Sequence, residues 1–531
     1  MNMDEKQEII KKKQFVLKYL NNPKRLILIA ILLLTIAIRL YFYTTASGQT
    51  LWWDEAEYMS TAKKWAFDVP YELNPQRPPL FQFLSALAFI IGLGENFIRL
   101  AFVILPSILL VLAIYLLGKE MFNDKIGLIA AALASVSWTF LFWTARVQPD
   151  FLSMLFQVLA ILFMWKYWKQ PETKLIALSA FFAALGFYFK VSALLVPMIF
   201  MIFIAITDRL SAFKKKDYYV FAAIFLITLV PYFIWSEVTF DNPMGFRTGY
   251  TPDSLQFPTG WYNIKFYYLL TEGVTFWAFM LGAVMALQFL LYIDILAREK
   301  KKCLDPNIFS ILVLVFISAF YIFYIKNTDD RWVFLWMPFI FLLAGKGIMT
   351  IYSFVMRYNK AIASIVVIVI LAFAMYGQVS HAKQLVDIKK GTYSPVKEAG
   401  LWIKENSDEN AKVLSISYTQ STYYTERNVS TYSRIENTSA FERYLHENRP
   451  DYVQASIFEP HPSWMIQNGM QEGYNYIFLQ YFNSTIVSKD GKIVSLDIKP
   501  KILHDDIEFS LVYPQNQING AFVYKIRYEA Q

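Results

Sequence analysis

The sequence predicts an α-helical polytopic membrane protein that ends in a small α/β domain outside the membrane. Three observations predict this fold class. Of the 531 residues, 56% are hydrophobic and 17% are charged, which is less charge than a water-soluble protein of this size carries. Apolar runs long enough to cross a bilayer recur as far as residue 376. Beyond them, residues 381–531 are polar and contain no such run.

About eleven apolar runs have the length and composition of membrane-spanning helices. They cover residues 26–43, 97–117, 126–143, 151–167, 175–189, 193–206, 220–235, 274–297, 308–325, 332–348 and 361–376. Lysine and arginine cluster in short segments between these runs, as they do in cytoplasmic loops, and the basic stretch 1–25 precedes the first run. This asymmetry predicts a cytoplasmic N-terminus, a cell-membrane location, and an outer position for residues 44–96.

The apolar run over residues 80–93 is short for a span. If it crossed the bilayer, every later basic loop as far as Arg357–Lys360 would lie outside the cell, against the usual asymmetry. We therefore predict an interfacial helix there and a second, amphipathic helix over 56–67. The loop 44–96 would then be an outer-face lid of a membrane domain that covers residues 26–380.

Residues 381–531 show the apolar patterns of a small α/β domain. Helices are predicted over 395–405 and 438–447, strands over 412–418 and 451–457, and further strands from Ile486 to Tyr528. An odd number of spans places this domain outside the cell. Its three Asn-X-Ser/Thr sequons, at Asn428, Asn437 and Asn483, agree with that side, although such sequons also arise by chance.

The composition also limits the possible chemistry. Cys303 is the only cysteine, so a domain outside the cell would fold without disulfides. All four histidines follow the last apolar run, beginning with His381. A membrane part without histidine would exclude a histidine base or metal site and leave proton transfer to carboxylates. The net charge of +8 lies in short loops and accompanies no nucleic-acid-binding motif, which argues against a nucleic-acid partner.

A carboxylate cluster directly after the first span is the leading candidate site. In this stretch Trp52 and Trp53 are expected at the membrane–water boundary, Asp54 and Glu55 follow them, and Tyr58 comes three residues later. A hydroxyl acceptor needs a positioned base, and an aspartate can be that base where no histidine is available. Two alternatives without a functional role remain open. Asp54 and Glu55 could be a solvated pair of loop acids, and the two tryptophans could belong to an aromatic belt that binds nothing.

Four cations and one further carboxylate are expected at the same membrane depth; they are Arg77, Arg146, Lys190, Arg331 and Asp150. Fixed cations can bind a phosphate, and an acid can orient a sugar hydroxyl. Nucleotide-activated sugars are cytoplasmic, so a lipid phosphate presented within the bilayer suits such an outer site better. The alternative for each residue is structural, as a helix cap, a snorkelling arginine or a turn lysine.

The order of these motifs resembles the integral-membrane glycosyltransferases of the GT-C superfamily, and most of all the branch of protein O-mannosyltransferases and bacterial lipid A aminoarabinose transferases. The matching elements are Trp53-Asp54-Glu55, Arg77-Pro78-Pro79-Leu80, Arg146 to Asp150, Lys190-Val191-Ser192, and the helix that opens at Arg331 and contains Pro338. The resemblance covers most of residues 20–350. It implies a GT-C-like fold, a dolichyl- or undecaprenyl-phosphate sugar as donor, and inverting transfer of a hexose or pentose to a protein, glycan or lipid.

Carried over by position, the resemblance also implies residue roles. Asp54 would be the base that activates the acceptor, Glu55 would assist it or contact the donor, and Asp150 would be the second acid of the site. Arg77, Lys190 and Arg331 would bind the lipid phosphate. A requirement for Mg²⁺ or Mn²⁺, held by the three carboxylates, stays open.

Two other interpretations compete with this one. Oligosaccharyltransferases also have an acid after the first helix, together with a divalent metal and a Trp-Trp-Asp signature in the soluble domain. Here that tripeptide occurs only at 52–54, which disfavours them. A multi-pass transporter of a lipid-linked or anionic substrate would show charges near the bilayer midplane and internal repeats, whereas these charges lie at helix ends.

Overall fold

A computed structural model describes residues 5, 22–247, 261–288, 301–326, 330–489, 492–514 and 520–529. The chain forms two compact units. The first unit comprises residues 1–47, 75–81 and 95–387, and the second comprises 48–74, 82–94 and 388–531. The predicted lid is therefore divided between the two units, and the last segment of the second unit begins close to the predicted domain boundary at residue 381.

Helices make up most of the first unit. In chain order the helices of both units are α1 (Pro23–Thr45), α2 (Trp53–Phe67), α3 (Leu80–Ile90), α4 (Glu95–Met121), α5 (Asp124–Val136), α6 (Trp138–Thr144), α7 (Asp150–Lys169), α8 (Thr173–Phe187), α9 (Val191–Thr207), α10 (Lys216–Phe240), α11 (Gly273–Ala286), α12 (Lys301–Ala319), α13 (Trp336–Met356), α14 (Lys360–Lys389), α15 (Ser394–Asn406), α16 (Tyr418–Thr425) and α17 (Thr438–Asn448). Shorter helical pieces lie at Arg209–Lys214, Gly245–Arg247, Trp261–Ile264 and Lys265–Leu269.

The prediction of a polytopic membrane protein is confirmed. Within the described ranges, seven helices are long and apolar enough to cross a membrane, or up to eight if the bent pair α5 and α6 is one span. The predicted spans 175–189, 193–206 and 274–297 correspond to the shorter apolar helices α8, α9 and α11, and the end of the last range lies outside the described residues. The number of eleven spans stays a prediction.

Asparagines cap several of these helices. Asn22 Oδ1 accepts the backbone N–H of Lys24 at 3.1 Å, and Pro23 then opens α1, where a missing N–H costs nothing. Asn123 Oδ1 accepts the N–H groups of Lys125 and Ile126 at 3.0 Å and starts α5 in the same way. These caps satisfy backbone donors that the helix itself leaves without partners.

The break between α5 and α6 directs the chain toward the candidate site. Ser137 leaves the helical conformation, with φ −53° and ψ 124°, and the two helices meet at a bend of 50°. The buried Arg39 donates from Nη1 to the carbonyl of Ser135 at 2.8 Å, and Gln378 Oε1 accepts the N–H of Trp138 at 3.0 Å. Side chains from α1 and α14 therefore satisfy backbone groups that the break releases, which stabilises it.

Helices α11 and α13 approach so closely that only glycine fits between them. A Cβ atom on Gly347 would lie 2.1 Å from the carbonyl oxygen of Ala278, and one on Gly282 would lie 1.7 Å from that of Leu343. Small residues at such contacts let membrane helices pack backbone to backbone. This contact fixes α13, which follows the segment that contains Arg331.

We expect Gly347→Ala to destabilise the protein by at least about 2 kcal/mol, because one helix must move away from the other. Thermal unfolding in detergent measures the effect. Gly377→Ala, on α14, is the matched control, since a Cβ there would meet no heavy atom within 4 Å. The control should be neutral or stabilise by up to about 1 kcal/mol through helix propensity. Equal melting temperatures for the two variants would contradict the close packing.

The second unit contains the predicted α/β domain. Its strands are β1 (Lys412–Ser415), β2 (Asn428–Ser430), β3 (Tyr452–Ser456), β4 (Ile466–Gln471), β5 (Tyr474–Leu479), β6 (Ser484–Lys489), β7 (Lys492–Asp497), β8 (Lys501–His504), β9 (Ile507–Tyr513) and β10 (Ala521–Tyr528). They form a six-stranded sheet in the order β2-β1-β3-β10-β9-β8 and a four-stranded antiparallel sheet in the order β4-β5-β6-β7. The first three strands of the larger sheet are parallel, and β10, β9 and β8 continue it antiparallel.

The sequence patterns in this domain were only partly informative. Both predicted helices are present, as α15 and α17. The strand predicted over 412–418 ends at Ser415, because the chain turns at Ser417 into the unpredicted helix α16. Strands β4 and β5 were not predicted, and the exposed polar residues along β4 explain why its pattern gave no signal.

Helix α2 is firmly packed within the second unit. Ser60 Oγ donates to the Thr419 carbonyl at 3.2 Å, and Lys63 Nζ pairs with Glu426 Oε1 at 2.5 Å, so α2 is tied to α16 and the residue after it. Every residue from Glu55 to Ala62 is buried. The prediction of a helix here is confirmed. Over residues 55–62 burial on all sides leaves no water-facing stripe, whereas residues 63–67 are half-buried or exposed.

Candidate active site

Asp54 and Glu55 have different surroundings although they are neighbours. Glu55 is fully buried, and its Oε2 accepts the backbone N–H of Trp52 at 2.8 Å, which is one half of a capping box at the start of α2. Asp54 lies in the first turn of the same helix and is half-buried. The helix dipole favours an ionised carboxylate at that end. Glu55 therefore holds the start of the helix, and Asp54 is the better candidate for a base.

The aromatic residues of this stretch are also unequal. Trp53 is 38% exposed and Trp52 is half-buried, whereas Tyr58 is buried. Glu57 is buried as well and accepts a hydrogen bond from Asn74 Nδ2. Among the aromatic residues of 52–58, the exposed surface therefore belongs to the tryptophans beside Asp54.

Asp150 opens α7 and forms an ion pair with Lys190. The carboxylate is 5% exposed, and the Lys190 ammonium, in the turn between α8 and α9, contacts its Oδ1. Lys190 needed an anionic partner to lie in so short a turn at membrane depth, and Asp150 supplies it. The lysine side chain keeps 22% of its surface exposed, so it can still meet a ligand.

Arg331 is fixed by residues on the neighbouring segments. Its Nη1 donates to Gln148 Oε1, and its guanidinium carbon lies 4.6 Å from the centre of the Trp143 ring. Trp143 in turn donates from Nε1 to Asp330 Oδ2 at 2.9 Å. The Trp143 ring and the Gln148 amide thus hold the guanidinium in a defined position, and a guanidinium is a group that binds phosphate well.

One pocket in the first unit is lined by three charged residues, Asp150, Lys190 and Arg331. Its other lining residues are Met154, Gln157, Ser192, Leu195, Ile317, Trp332, Phe334 and Leu335. The polar part has two cations and one carboxylate, and most of the remaining wall is apolar. Such a lining suits a ligand that has an anionic group next to apolar or sugar parts.

Two predicted cations are not among the lining residues of this pocket. Arg146 is 1% exposed, with its guanidinium carbon 5.9 Å from the Phe142 ring centre, so it is a buried residue of the turn after α6. Arg77 is half-buried in the bend before α3. Asp54 and Glu55 belong to the second unit.

Sequence reasoning missed Trp143 and Gln148, which hold Arg331, and Gln157, which lines the pocket. A glutamine in the middle of the apolar run of α7 was a usable signal, because polar groups within a span are costly. The sequence offered no comparable signal for Trp143, since a tryptophan near a span end is an ordinary feature of membrane proteins.

The expectation that the membrane part has no histidine was wrong. Helix α14 continues beyond its apolar run to Lys389, so His381 belongs to the first unit. Its Nδ1 lies 2.9 Å from Glu272 Oε2, and its ring centre lies 4.7 Å from that of Trp138. The elimination of histidine as a base in this part of the chain therefore does not hold, and the case for Asp54 rests on its own position and on the motif.

Two glutamates of the second unit have shifted pKa values. Burial raises the pKa of Glu459 to about 7, although a hydrogen bond from Gln420 opposes the rise. Burial acts in the same direction on Glu426, but the hydrogen bonds from Lys404 and Lys63 outweigh it and lower the pKa of Glu426 below its ordinary value. Glu426 is thus an ionised structural tie, while Glu459 is partly protonated at neutral pH.

No metal site is evident among the residues that the structure describes, where no three His, Cys, Asp or Glu side chains converge on one point. The carboxylate of Asp150 is instead engaged with Lys190. The described residues therefore do not fit a three-ligand divalent site.

A profile of the family described as dolichyl-phosphate-mannose-protein mannosyltransferase matches residues 76–235. This range contains Arg77, Arg146, Asp150 and Lys190. No curated protein sequence matches the chain.

Solved structures with the same fold include the archaeal oligosaccharyltransferase AglB from Archaeoglobus fulgidus, in complex with an inhibitory peptide and a dolichol-phosphate. The likeness covers 81% of this chain and 69% of that one, with a TM-score of 0.60 and 14% identity. ArnT from Cupriavidus metallidurans, bound to undecaprenyl phosphate, matches over 80% of this chain and 93% of its own, with a TM-score of 0.56 and 12% identity. The arabinofuranosyltransferase AftD from Mycobacteria matches over 93% of this chain and 41% of its own, with a TM-score of 0.53 and 10% identity.

These structural likenesses show the fold, and the family match adds the enzyme class to it. Together they confirm the predicted fold class and the predicted superfamily. The chain is a polytopic membrane glycosyltransferase with the GT-C fold and a C-terminal α/β domain.

Proposed function

We propose that the protein transfers a sugar from a polyprenyl phosphate to a hydroxyl group of a protein, glycan or lipid on the outer face of a cell membrane. The observation that carries the proposal is the pocket that joins Lys190, Arg331 and Asp150 to an apolar wall. A polyprenyl-phosphate sugar has an anionic phosphodiester, a polar sugar and an apolar chain, and the lining offers a partner to each. The dolichol-phosphate of AglB and the undecaprenyl phosphate of ArnT are ligands of the same class.

The reaction is a single inverting displacement at C1 of the sugar. The acceptor oxygen forms a bond to C1 on the face opposite the phosphate, and the C1–O bond to the phosphate breaks. Asp54 accepts the proton that the acceptor hydroxyl loses. The polyprenyl phosphate leaves with the electron pair and an additional negative charge. Lys190 and Arg331 stabilise that charge in a site with little water, where fixed cations are most effective.

Asp150 has two tasks in this scheme. In the absence of donor it neutralises Lys190, which would otherwise be an unpaired charge within the membrane region. In the presence of donor the ammonium lies between the carboxylate and the phosphate, so that the carboxylate sets its position. The oxygen of Asp150 that Lys190 does not contact can then accept a hydrogen bond from a sugar hydroxyl.

The proposed orientation has a cytoplasmic N-terminus and an extracytoplasmic second unit. Two observations support it: the basic loops of the sequence and the exposure of all three sequon asparagines, Asn428, Asn437 and Asn483. Asn437 also caps α17 through Oδ1, which accepts the Ala440 N–H at 2.9 Å and leaves the amide nitrogen directed elsewhere. The transporter alternative has no support in the family match or in the three structural relatives.

A direct test uses the purified full-length protein in detergent or nanodiscs. Mannosyl, glucosyl and arabinosyl phosphates of dolichol and undecaprenol serve as probes, and the release of polyprenyl phosphate on addition of acceptor peptides or lipids reports transfer. Mass spectrometry of surface proteins and glycolipids, with and without the gene, would name the sugar and acceptor. An unchanged surface, together with no release from any probe, would overturn the proposal.

We expect Arg331→Met to raise KM for the donor about 10- to 100-fold, because the phosphate loses a charged hydrogen-bond donor. Arg331→Lys should recover only part of the loss, since an ammonium cannot stack on Trp143 and donate to Gln148 in the same geometry. Steady-state transfer at varied donor concentration measures this. Arg357→Met, an exposed arginine at the end of α13, is the control and should leave KM unchanged. A normal donor KM in Arg331→Met would remove Arg331 from the phosphate site.

A further inference from the structure

The donor pocket contains a buried hydrogen-bond acceptor without a partner. Gln157 lies on α7, lines the pocket and is 4% exposed. Its Oε1 has no hydrogen-bond partner within the described part of the chain. A buried acceptor that stays unpaired costs free energy, so an unpaired oxygen on a residue that lines a pocket points to a ligand group that donates to it.

The orientation of this amide follows from the hydrogen bonds behind it. The hydroxyl of Ser153 has one proton, which it donates to the carbonyl of Gly186 at 2.9 Å. Ser153 Oγ must therefore accept the second bond, from Gln157 Nε2 at 2.9 Å. The nitrogen of the amide is thus fixed on Ser153, and the oxygen is the atom that remains for the pocket.

Tight packing keeps the glutamine in this position. A Cβ atom on Gly186 would lie 3.4 Å from Gln157 Cγ and 3.2 Å from Ala193 Cβ, so Gly186 lies close to the stem of the glutamine. This packing and the hydrogen bond to Ser153 limit the entropy that a ligand would lose by ordering the side chain.

The chemistry of the free atom identifies the part of the donor that it can contact. An amide oxygen only accepts hydrogen bonds. An ionised phosphodiester has no proton to donate, and a polyprenyl chain has no polar group. Of the three parts of a polyprenyl-phosphate sugar, the sugar alone has donors, in its hydroxyl groups or in an amino group.

The position of the amide agrees with this assignment. Helical side chains lean toward the N-terminus, so the Gln157 amide lies beside Ser153, about one helical turn or 5 Å along α7 from Asp150. A sugar whose phosphate meets Lys190 and Arg331 would extend its remote hydroxyls over a distance of this order. Met154 and Leu195 are among the apolar residues that line the same pocket.

We propose that Gln157 binds the donor sugar, with Oε1 as the acceptor for a hydroxyl or amino group remote from C1, and that it contributes to sugar selectivity. This inference rests on the proposed donor class and deepens it. Ser153 is a positioning residue in the same arrangement, because it fixes which end of the amide faces the ligand.

The test compares lipids with and without a sugar. Binding of farnesyl phosphate, farnesyl-phosphoryl mannose and farnesyl-phosphoryl glucose to the full-length protein in detergent is measured by calorimetry. Gln157→Met keeps the length of the side chain and removes the amide. We expect it to weaken at least one sugar-bearing lipid about 3- to 10-fold and to leave the affinity for farnesyl phosphate unchanged.

Two further variants separate binding from folding. Ser153→Ala should cause a smaller loss, again only for the sugar-bearing lipids, because the released amide can turn. Met164→Leu changes a buried residue of the same helix that is not among the pocket's lining residues, and it should leave the affinities for all three lipids unchanged. Thermal unfolding of each variant shows whether the pocket is intact.

Each outcome has a definite meaning. Equal affinities of Gln157→Met and the wild type for all three lipids would overturn the inference and leave the proposed function in place; a bound water would then be the partner of Oε1. An equal loss for bare and sugar-bearing lipids would also overturn it, since the residue would then shape the pocket only. Failure of the wild type to bind any of the lipids would overturn the proposed donor class itself.

Discussion

Replacement of Asp54 by asparagine should reduce sugar transfer by about 10²- to 10⁴-fold while the protein still folds and binds donor, because the acceptor hydroxyl loses its base. Asparagine has nearly the same shape as aspartate and is acceptable in the first turn of a helix, so α2 should form normally. The rate of polyprenyl phosphate release at saturating donor measures the loss. Donor binding by calorimetry should be unchanged.

The neighbouring glutamate provides the matched control for Asp54. Glu55→Gln keeps a side-chain oxygen that can accept the Trp52 N–H, so the capping box and most of the activity should persist. Glu55→Ala should lower the free energy of unfolding by about 1 kcal/mol through loss of the cap. Full transfer in Asp54→Asn would show that Asp54 is not the base. Loss of transfer in Glu55→Gln with an intact fold would assign that role to Glu55.

This pair of acids shows how far the sequence could predict the site. The tryptophans and adjacent carboxylates after the first span identified the stretch, and the family resemblance assigned the base to Asp54, but nothing in the sequence indicated that Glu55 accepts a hydrogen bond at the helix start. Which acid accepts the capping hydrogen bond depends on where α2 begins. If the helix began one residue earlier, Asp54 would occupy the capping position in place of Glu55. Helix starts are among the least certain features of a sequence, and here the N-cap is a tryptophan, which gives no capping signal.

The pocket shows a second limit of prediction from sequence. Lys190 and Asp150 are 40 residues apart, and the sequence predicted both at one membrane depth without pairing them. Their pairing depends on the packing of α7 against α8. The sequence does not predict this packing, because many apolar helix surfaces of similar composition could pack against α7 equally well. Gln157 could be noticed as a polar residue within an apolar run, but its unpaired Oε1 becomes apparent only from the structure.

The membrane architecture was predictable because its signal is strong and local. A span needs about 20 apolar residues, and seven helices of the described ranges meet that requirement. His381 was misplaced because helix α14 continues past its apolar run, and a polar sequence does not tell where a helix leaves the bilayer. The strands of the second unit were harder still, since half-exposed strands such as β4 have little alternation to detect.

The second large effect is expected at the Asp150–Lys190 ion pair. Asp150→Asn leaves the ammonium of Lys190 without its partner, and Lys190→Met leaves a carboxylate that is 5% exposed without its cation. Each single variant should lower the free energy of unfolding by about 3 kcal/mol, because an uncompensated buried charge is costly. Thermal unfolding in detergent measures this. Lys24→Met removes a surface pair with Asp124 and should cost less than about 1 kcal/mol.

The double variant Asp150→Asn, Lys190→Met separates structure from function. It contains no unpaired charge, so it should recover most of the stability that each single variant loses. If the pair existed only to stabilise the turn, transfer would recover together with stability. Because we assign Lys190 to the departing phosphate and Asp150 to the position of that lysine and to the sugar, transfer should instead stay about 10²- to 10³-fold below the wild type. A stable double variant with normal turnover would show that Lys190 and Asp150 hold two helices together and take no part in the reaction.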